Sequence, residues 1–263
     1  TRFRREDDDI SYRAGLVYKP VERGSVYLAY GTAFSPSADG SQGLVLGNNS
    51  NGTVGANSPS LAPEKSRSLE LGTKWNLFNN RLFFTAAVFK TEKTDAKTTD
   101  TAGNTVLAGD QEVKGIELGL SGSLTDEWTV FAGYAYMDSR INESKVPAEI
   151  DRELPYVPRH SANIWTSYEF GERFTVGAGV QYTGGYFFNN ANTAANPNLV
   201  EIGKMTKYWL FNAMASYEVN DHLNLQLNLN NLADKKYVER GYPGQFTPGP
   251  ARSVLLSADI KFW

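Results

Sequence analysis

The chain lacks several things that would place it among common protein classes. It has no cysteine, which excludes disulfides, zinc knuckles and a thiol nucleophile. It has two histidines, His160 and His222, too few for a histidine-rich metal site. Its longest apolar run, Leu82 to Phe89, is eight residues and includes Thr85. A membrane-spanning helix needs about 20, so helical spans are excluded. A surplus of positive charge is also missing. Lys and Arg number 26 against 29 for Asp and Glu, a net charge of −3, and nucleic acid is not an expected partner. What the 263 residues do contain is aromatic side chains (14 Tyr, 14 Phe and 5 Trp) and 24 glycines, on a chain of negative mean hydropathy. That composition suits an all-β protein.

Alternation with a period of two runs through nearly the whole chain. In the clearest case Leu223, Leu225, Leu227 and Leu229 alternate with Asn224, Gln226, Asn228 and Asn230. A strand sorts these into one apolar and one amide face, whereas a helix would spread them around its circumference. Ten further segments show the pattern less perfectly: Ile10–Lys19, Val26–Phe34, Leu69–Leu77, Arg81–Thr91 (apolar on both faces), Ile116–Ser121, Trp128–Tyr136, Arg159–Phe170 (a weaker match), Phe174–Thr183, Trp209–Val219 and Ser253–Phe262. The spacing predicts eleven strands, most about as long as a tilted membrane-crossing strand.

The expected connections alternate in length. Pro20–Gly24, Phe78–Arg81, Thr125–Glu127, Gly171–Arg173 and Asn220–His222 are short. Ser35–Pro63, Thr94–Asp110, Asn142–Pro158, Gly184–Thr206 and Lys235–Ala251 are long and rich in Gly, Asn, Ser and Pro. Tight turns at one end and long loops at the other form the layout of an outer-membrane barrel. Aromatics near strand ends, among them Trp75, Trp128, Trp209, Phe262 and Trp263, fit a membrane girdle. Alternation alone also fits a soluble β-sandwich or adhesin. Strand length, loop asymmetry and aromatic placement favour a transmembrane antiparallel β-barrel.

Enzymatic catalysis is not expected. His222 falls in a tight turn, His160 follows Pro158 and Arg159, and neither is recognisably paired with a serine. Asp7-Asp8-Asp9 is not a calcium loop of the EF-hand kind, which needs Gly at position six and Glu at twelve; Tyr12 and Tyr18 stand there.

Several segments in order carry a resemblance. They are Tyr12-Arg-Ala-Gly-Leu-Val-Tyr-Lys-Pro20 with Ser25-Val-Tyr-Leu-Ala-Tyr30; Leu61-Ala-Pro-Glu-Lys-Ser66 with Glu70-Leu-Gly-Thr-Lys74; Gly115-Ile-Glu117; Val157-Pro-Arg-His160; Asn230-Asn-Leu-Ala-Asp-Lys-Lys-Tyr237; and Pro248-Gly-Pro-Ala-Arg252. Together they resemble the C-terminal half of a TonB-dependent ferric-siderophore receptor, in the subgroup that handles catecholate-type siderophores. The resemblance implies a bacterial outer-membrane location and energy-coupled uptake of a ferric siderophore. Iron would arrive only as the chelate, with no cofactor bound directly. It also implies partners: the TonB energy-coupling system, acting through an N-terminal plug, the barrel assembly machinery and outer-membrane lipid. A passive porin-like barrel is the alternative.

Residues 1–263 then read as the C-terminal portion of a barrel of 22 strands, with the plug and first half absent from this sequence. The opening Thr1-Arg-Phe-Arg-Arg-Glu-Asp-Asp-Asp9, neither a signal peptide nor a transit peptide, fits an internal piece or a removed leader. Such receptors end in an outward aromatic residue. Phe262 has that parity, and Trp263 follows on the other face.

Ferric catecholates are anionic and aromatic, so cationic and aromatic loop residues are the candidate ligand contacts. Arg140, Arg152, Tyr156, Tyr186, Phe187, Phe188, Lys204, Arg240, Tyr242 and Phe246 satisfy that chemistry, and Tyr186-Phe187-Phe188 is expected to stand exposed in a polar loop.

Overall fold

The computed structural model describes residues 6–36, 61–99, 105–188, 203–242 and 245–262. Eleven strands form one antiparallel sheet in which each pairs with its sequence neighbours. They are β1 (Arg13–Val21), β2 (Gly24–Ser35), β3 (Glu64–Leu77), β4 (Leu82–Thr99), β5 (Thr105–Ser123), β6 (Trp128–Glu143), β7 (His160–Phe170), β8 (Phe174–Thr183), β11 (Tyr208–Asn220), β12 (Leu223–Asn230) and β15 (Ser253–Ile260). Two ribbons stand apart from the sheet: β9 (Tyr186–Phe187) with β10 (Lys204–Met205), and β13 (Val238–Tyr242) with β14 (Gln245–Pro248). Among the described residues the sheet is open, with β1 and β15 as its edges.

Register puts the apolar residues on one continuous face. Leu28 lies opposite Leu71, Leu71 opposite Val88, and Val88 opposite Ile116. Further along, Phe211 lies opposite Val180, and Leu227 opposite both Ala215 and Leu256. No second sheet covers this face among the described residues. Leu16 is 71% exposed and Leu256 69%. A sandwich would bury such side chains as its core, and among the described residues no layer covers them. An exposed apolar face of this extent calls for an apolar solvent.

Polar side chains fill the opposite face. Tyr27 donates to Glu70, Lys74 lies over the Tyr27 ring, and the Tyr27 ring covers Gly72. Trp165 lies across Gly177 and Gly179, where an added Cβ would come within 2.8 and 2.3 Å of the indole. Glycine is needed at both positions so that the ring can lie against the backbone.

The short connections are tight turns. Arg81 N–H donates to Phe78 O at 3.2 Å in the turn between Leu77 and Leu82, where Phe78, Asn79 and Asn80 all hold positive φ (47°, 56° and 67°). Asparagine tolerates the left-handed region.

The expected loop Thr94–Asp110 is for the most part strand, because β4 runs on to Thr99 and β5 begins at Thr105. The apolar alternation stops near Thr91, but β-branched threonines and cross-strand pairing carry the ladder further past a bulge near Ala96. The first strand begins at Arg13 instead of Ile10, although Thr32 N–H still donates to Tyr12 O.

The connection from β12 to β15 is held by one side chain. Asn231, 4% exposed with φ of 51°, receives the Lys235 N–H on Oδ1 at 2.8 Å. Its amide donates to Lys235 O and Pro250 O at 3.0 Å each, and its own N–H donates to Asn212 Oδ1. Asp234 Oδ1 accepts from Arg252 N–H, and the Tyr237 ring covers Gly249. The Asn230–Tyr237 and Pro248–Arg252 motifs are thus two halves of one clasp.

Two outcomes follow. In the full-length protein refolded into lipid vesicles, Leu227→Arg lowers the unfolding free energy by about 2–4 kcal/mol, whereas Gln226→Arg on the other face costs about 1 kcal/mol or less in the same denaturant titration. Asn231→Ala raises hydrogen exchange across residues 235–250 and leaves the protection of β11 and β12 unchanged; unaltered exchange there would remove the clasp from the account.

Candidate functional site

The long-connection end carries the site. The β9–β10 ribbon pairs Phe187 with Lys204 and Tyr186 with Met205. Alternation sends Tyr186 and Met205 to one side of the ribbon and Phe187 and Lys204 to the other. Tyr186, Phe188 and Met205 form a small core with Val238 of β13 packed on it. The Phe188 ring meets Phe246 of β14 edge-on at 5.9 Å.

The third contributor is the connection from β6 to β7, which passes through a short 3-10 turn (Pro147–Glu149). Tyr156, held at φ of 61°, donates its N–H to Phe187 O at 2.7 Å and its hydroxyl to Gly241 O at 2.8 Å. Its ring lies 6.2 Å from that of Tyr186, whose hydroxyl donates to Glu239 O. Burial raises the Tyr186 phenol above its ordinary pKa, so it stays neutral. Gly241 packs closely here: a Cβ would lie 3.0 Å from both Met205 Sδ and Phe188 Cδ1, and those side chains would have to give way by a few tenths of an ångström. Three connections distant in sequence are therefore tied into one aromatic cap.

This corrects the expectation of three exposed aromatics. Tyr186 is 8% and Phe188 4% exposed, because the two ribbons must bury apolar surface against something and they bury it against each other. Phe187 is half-buried, with Lys204 Nζ 5.8 Å from its ring centroid. Arg240 is exposed beside the cap, and Phe246 is 55% exposed. Tyr242 ends β13 opposite Gln245.

Arg140 is placed elsewhere. It shares the outward parity of Tyr134, Tyr136 and Asp138 and pairs with Asp151 at 3.4 Å. Arg152 is exposed next to Asp151, its carbonyl accepting from Ile141 N–H. The cap residues absent from the sequence-based set are Met205, Val238 and Gly241. The Gly203-Lys-Met205 stretch is too short for alternation to be read, so its pairing with β9 had no local signal.

The histidines have structural surroundings. His160 Nδ1 lies 2.9 Å from the Tyr134 hydroxyl, with the Tyr136 ring 5.1 Å away. His222 Nδ1 lies 3.2 Å from Lys261 O beside the turn between β11 and β12. On the outward face, Trp75 and Trp128 sit near short turns, each indole N–H donating to a threonine hydroxyl at 2.6 Å, and Trp209 stacks on Tyr182 at the other end. Phe262 is exposed just beyond β15, and Trp263 lies outside the described residues.

Comparison with known proteins agrees with this architecture. The family model described as TonB dependent receptor-like, beta-barrel matches residues 1–232. A probable TonB-dependent siderophore receptor, PiuA of Acinetobacter baumannii, is 35% identical over 97% of this chain and 34% of its own. The catecholate siderophore receptor Fiu of Escherichia coli K12 is 32% identical over 96% of this chain and 33% of its own. The chain thus spans about a third of the length of these curated relatives. Among solved structures, PiuA superposes with a TM-score of 0.84 at 33% identity, covering 97% of this chain and 36% of that one. The closed form of Fiu, titled a ferric-catecholate import receptor, gives 0.80 at 30% identity, covering 95% and 34%. These relatives are named as receptors and not as enzymes. With its open run of antiparallel strands, outward apolar face and long connections gathered at one end, the chain belongs to the TonB-dependent receptor-like β-barrel family.

Proposed function

We propose that this chain is the C-terminal portion of an outer-membrane receptor that takes up a ferric siderophore by energy-coupled transport. The observation that carries the reading is its alignment along nearly its whole length with a relative named as a siderophore receptor, at 35% identity. Lipid contacts the apolar face, and the polar face lines the lumen. An N-terminal plug, moved through the TonB system, supplies the coupling, and the barrel assembly machinery inserts the strands. Iron enters as the chelate, which provides its own ligands, so the protein needs none. The relative named as a catecholate receptor supports a catecholate-type siderophore as the ligand class.

A catecholate chelate offers negative charge and flat rings. The accessible groups around the cap match that chemistry: Lys204 over Phe187, with Arg152, Arg240, Tyr156 and Phe246 nearby in the same loops. A lysine already seated over a ring is positioned to meet an anionic aromatic ligand. Tyr186 and Phe188 act one step removed, holding the ribbons in place. Arg140, on the outward face, is left out of this set.

Two measurements test the reading. In iron-starved cells, uptake of a labelled ferric catecholate depends on the receptor and stops when an uncoupler collapses the proton gradient. Uptake that survives the uncoupler would favour the passive porin. Lys204→Gln and Phe187→Ala each weaken ligand binding about twofold to fivefold at unchanged surface expression, while Phe188→Ala also makes the external loops more sensitive to protease. Unchanged affinity in both of the first two variants would remove the β9–β10 ribbon from the ligand site.

A further inference from the structure

The connection from β6 to β7 returns along the polar face of the sheet. Phe131 lies opposite Trp165, so Ser139, at the same parity in β6, is on that face. Its hydroxyl accepts the Leu154 N–H at 3.0 Å, and Ser139 is buried. Just before this point Asp151 N–H donates to Ile141 O, and Ile141 N–H donates to Arg152 O. Just after it Tyr156 fastens to Phe187 O and Gly241 O of the cap. Both bends hold left-handed φ, 67° at Asp151 and 61° at Tyr156. For a tyrosine this is uncommon and persists only where surrounding contacts enforce it.

Arg159 closes the segment. It shares the parity of Asn163 and Trp165, and the ladder still runs at its position, since Met137 N–H donates to Arg159 O. Its side chain therefore stands on the polar face. Nη2 donates to Glu153 Oε1 at 2.6 Å, and the two side chains are 52% and 31% exposed. The pair ties the segment that carries Tyr156 to the start of β7. An ion pair this exposed contributes little and exchanges readily. A guanidinium presents five N–H donors in a planar fork suited to acceptors with two oxygens. The Glu153 contact is the one side-chain hydrogen bond Arg159 makes among the described residues. One row deeper, Glu117 stands two strands away, opposite Ala135, which pairs with Ser161.

We propose that Arg159 is a further contact for the anionic ligand and that its pair with Glu153 is a latch the ligand opens. Paired oxygens of the ligand take the fork of Arg159 from the Glu153 carboxylate. Residues 151–156 then lose their tie to β7, and the strained Tyr156 leaves Phe187 O and Gly241 O. The β9–β10 and β13–β14 ribbons are freed from the third connection, so the cap loosens on the side toward the polar face. The Val157-Pro-Arg-His160 motif thereby gains a role: it presents the latch cation one residue from the first paired residue of β7. The inference rests on the proposed reading of the ligand as an anionic chelate and of the polar face as the lumen.

The test uses the full-length receptor in detergent, with heat-modifiable gel migration reporting a folded barrel and the ferric tris-catecholate complex as the probe. Calorimetric titration reads affinity, and hydrogen exchange reads residues 151–158 and 238–241. The probe raises exchange in both stretches of wild type. Glu153→Gln and Arg159→Gln each raise it without the probe. Their affinities move in opposite directions: Glu153→Gln binds about twofold to fivefold more tightly, because the competing carboxylate is gone, and Arg159→Gln binds weaker by a similar factor. A merely structural ion pair would shift both variants alike. Binding of the probe to wild type with exchange unchanged would overturn the latch, as would affinities that shift in the same direction. No binding of the probe to folded wild type would overturn the catecholate reading as well, which keeps the two failures distinguishable. Should Arg159→Gln fail to fold, a Glu153→Gln receptor that binds no tighter than wild type would overturn the proposal.

Discussion

The backbone hydrogen-bond ladder sets the terms for everything else in this protein. In hydrocarbon no water is present to satisfy an unpaired N–H or C=O, so a crossing segment must pair its backbone within the structure. An up-and-down antiparallel sheet does this neighbour by neighbour, and its eleven strands follow that order without a crossover. Once the ladder is fixed, successive side chains must alternate between lipid and lumen. Leucines and asparagines in β12 therefore behave as two separate populations, although they are adjacent in sequence. The apolar residues drive no core of the usual kind here. Among the described residues the buried apolar cluster sits in the connections, around Tyr186, Phe188 and Met205.

That displacement of the core explains why the loops have structure of their own. A long connection in water pays conformational entropy and gains little unless it buries something. The β9–β10 and β13–β14 ribbons solve this jointly, each supplying apolar surface that the other covers. The Asn231 clasp fixes where the second ribbon leaves the sheet, and Tyr156 brings in a third connection through backbone acceptors. The groups left accessible, Lys204 and Phe187 among them, lie on the opposite side of a ribbon whose other side is packed. Packing one side of a two-residue pairing thus decides which of its residues stay accessible.

The sheet was legible in the sequence because its signal is local. Each of the eleven segments corresponds to one strand of the sheet, and in most of them a period of two has no other regular interpretation. The tight turns were legible for the same reason, as the short intervals between segments such as Phe78–Arg81. The site was less so. Tyr186-Phe187-Phe188 reads as three like residues, yet the structure separates them by partners 17 to 60 residues away, in Met205, Val238 and Phe246. No local pattern encodes those pairings. Arg140, whose charge and nearness to a loop suggested a ligand contact, lies within β6 on the outward parity of Tyr134 and Tyr136 and pairs with Asp151. The continuation of β4 and β5 beyond the apolar alternation was hidden because threonine and lysine, in Thr91-Glu-Lys-Thr-Asp-Ala-Lys-Thr-Thr99, carry no apolar period even where they pair.

Strand length connects these observations. β3, β4, β5 and β6 run 14, 18, 19 and 16 residues, whereas β8, β12 and β15 run 10, 8 and 8. A tilted crossing takes about 9–11 residues, so the longer strands continue as paired sheet past the apolar zone. Beyond it the outward face has left the apolar band, and an apolar residue there would gain nothing. Charge replaces it, and pairing across strands keeps that charge affordable. The shorter strands stop at the boundary and hand over to folded ribbons. One end of the same sheet is therefore finished in two ways: a charged extension over β3–β6, and a packed aromatic cap built from the connections that follow. Both finishes answer one requirement, that the chain change its outward chemistry where its solvent changes.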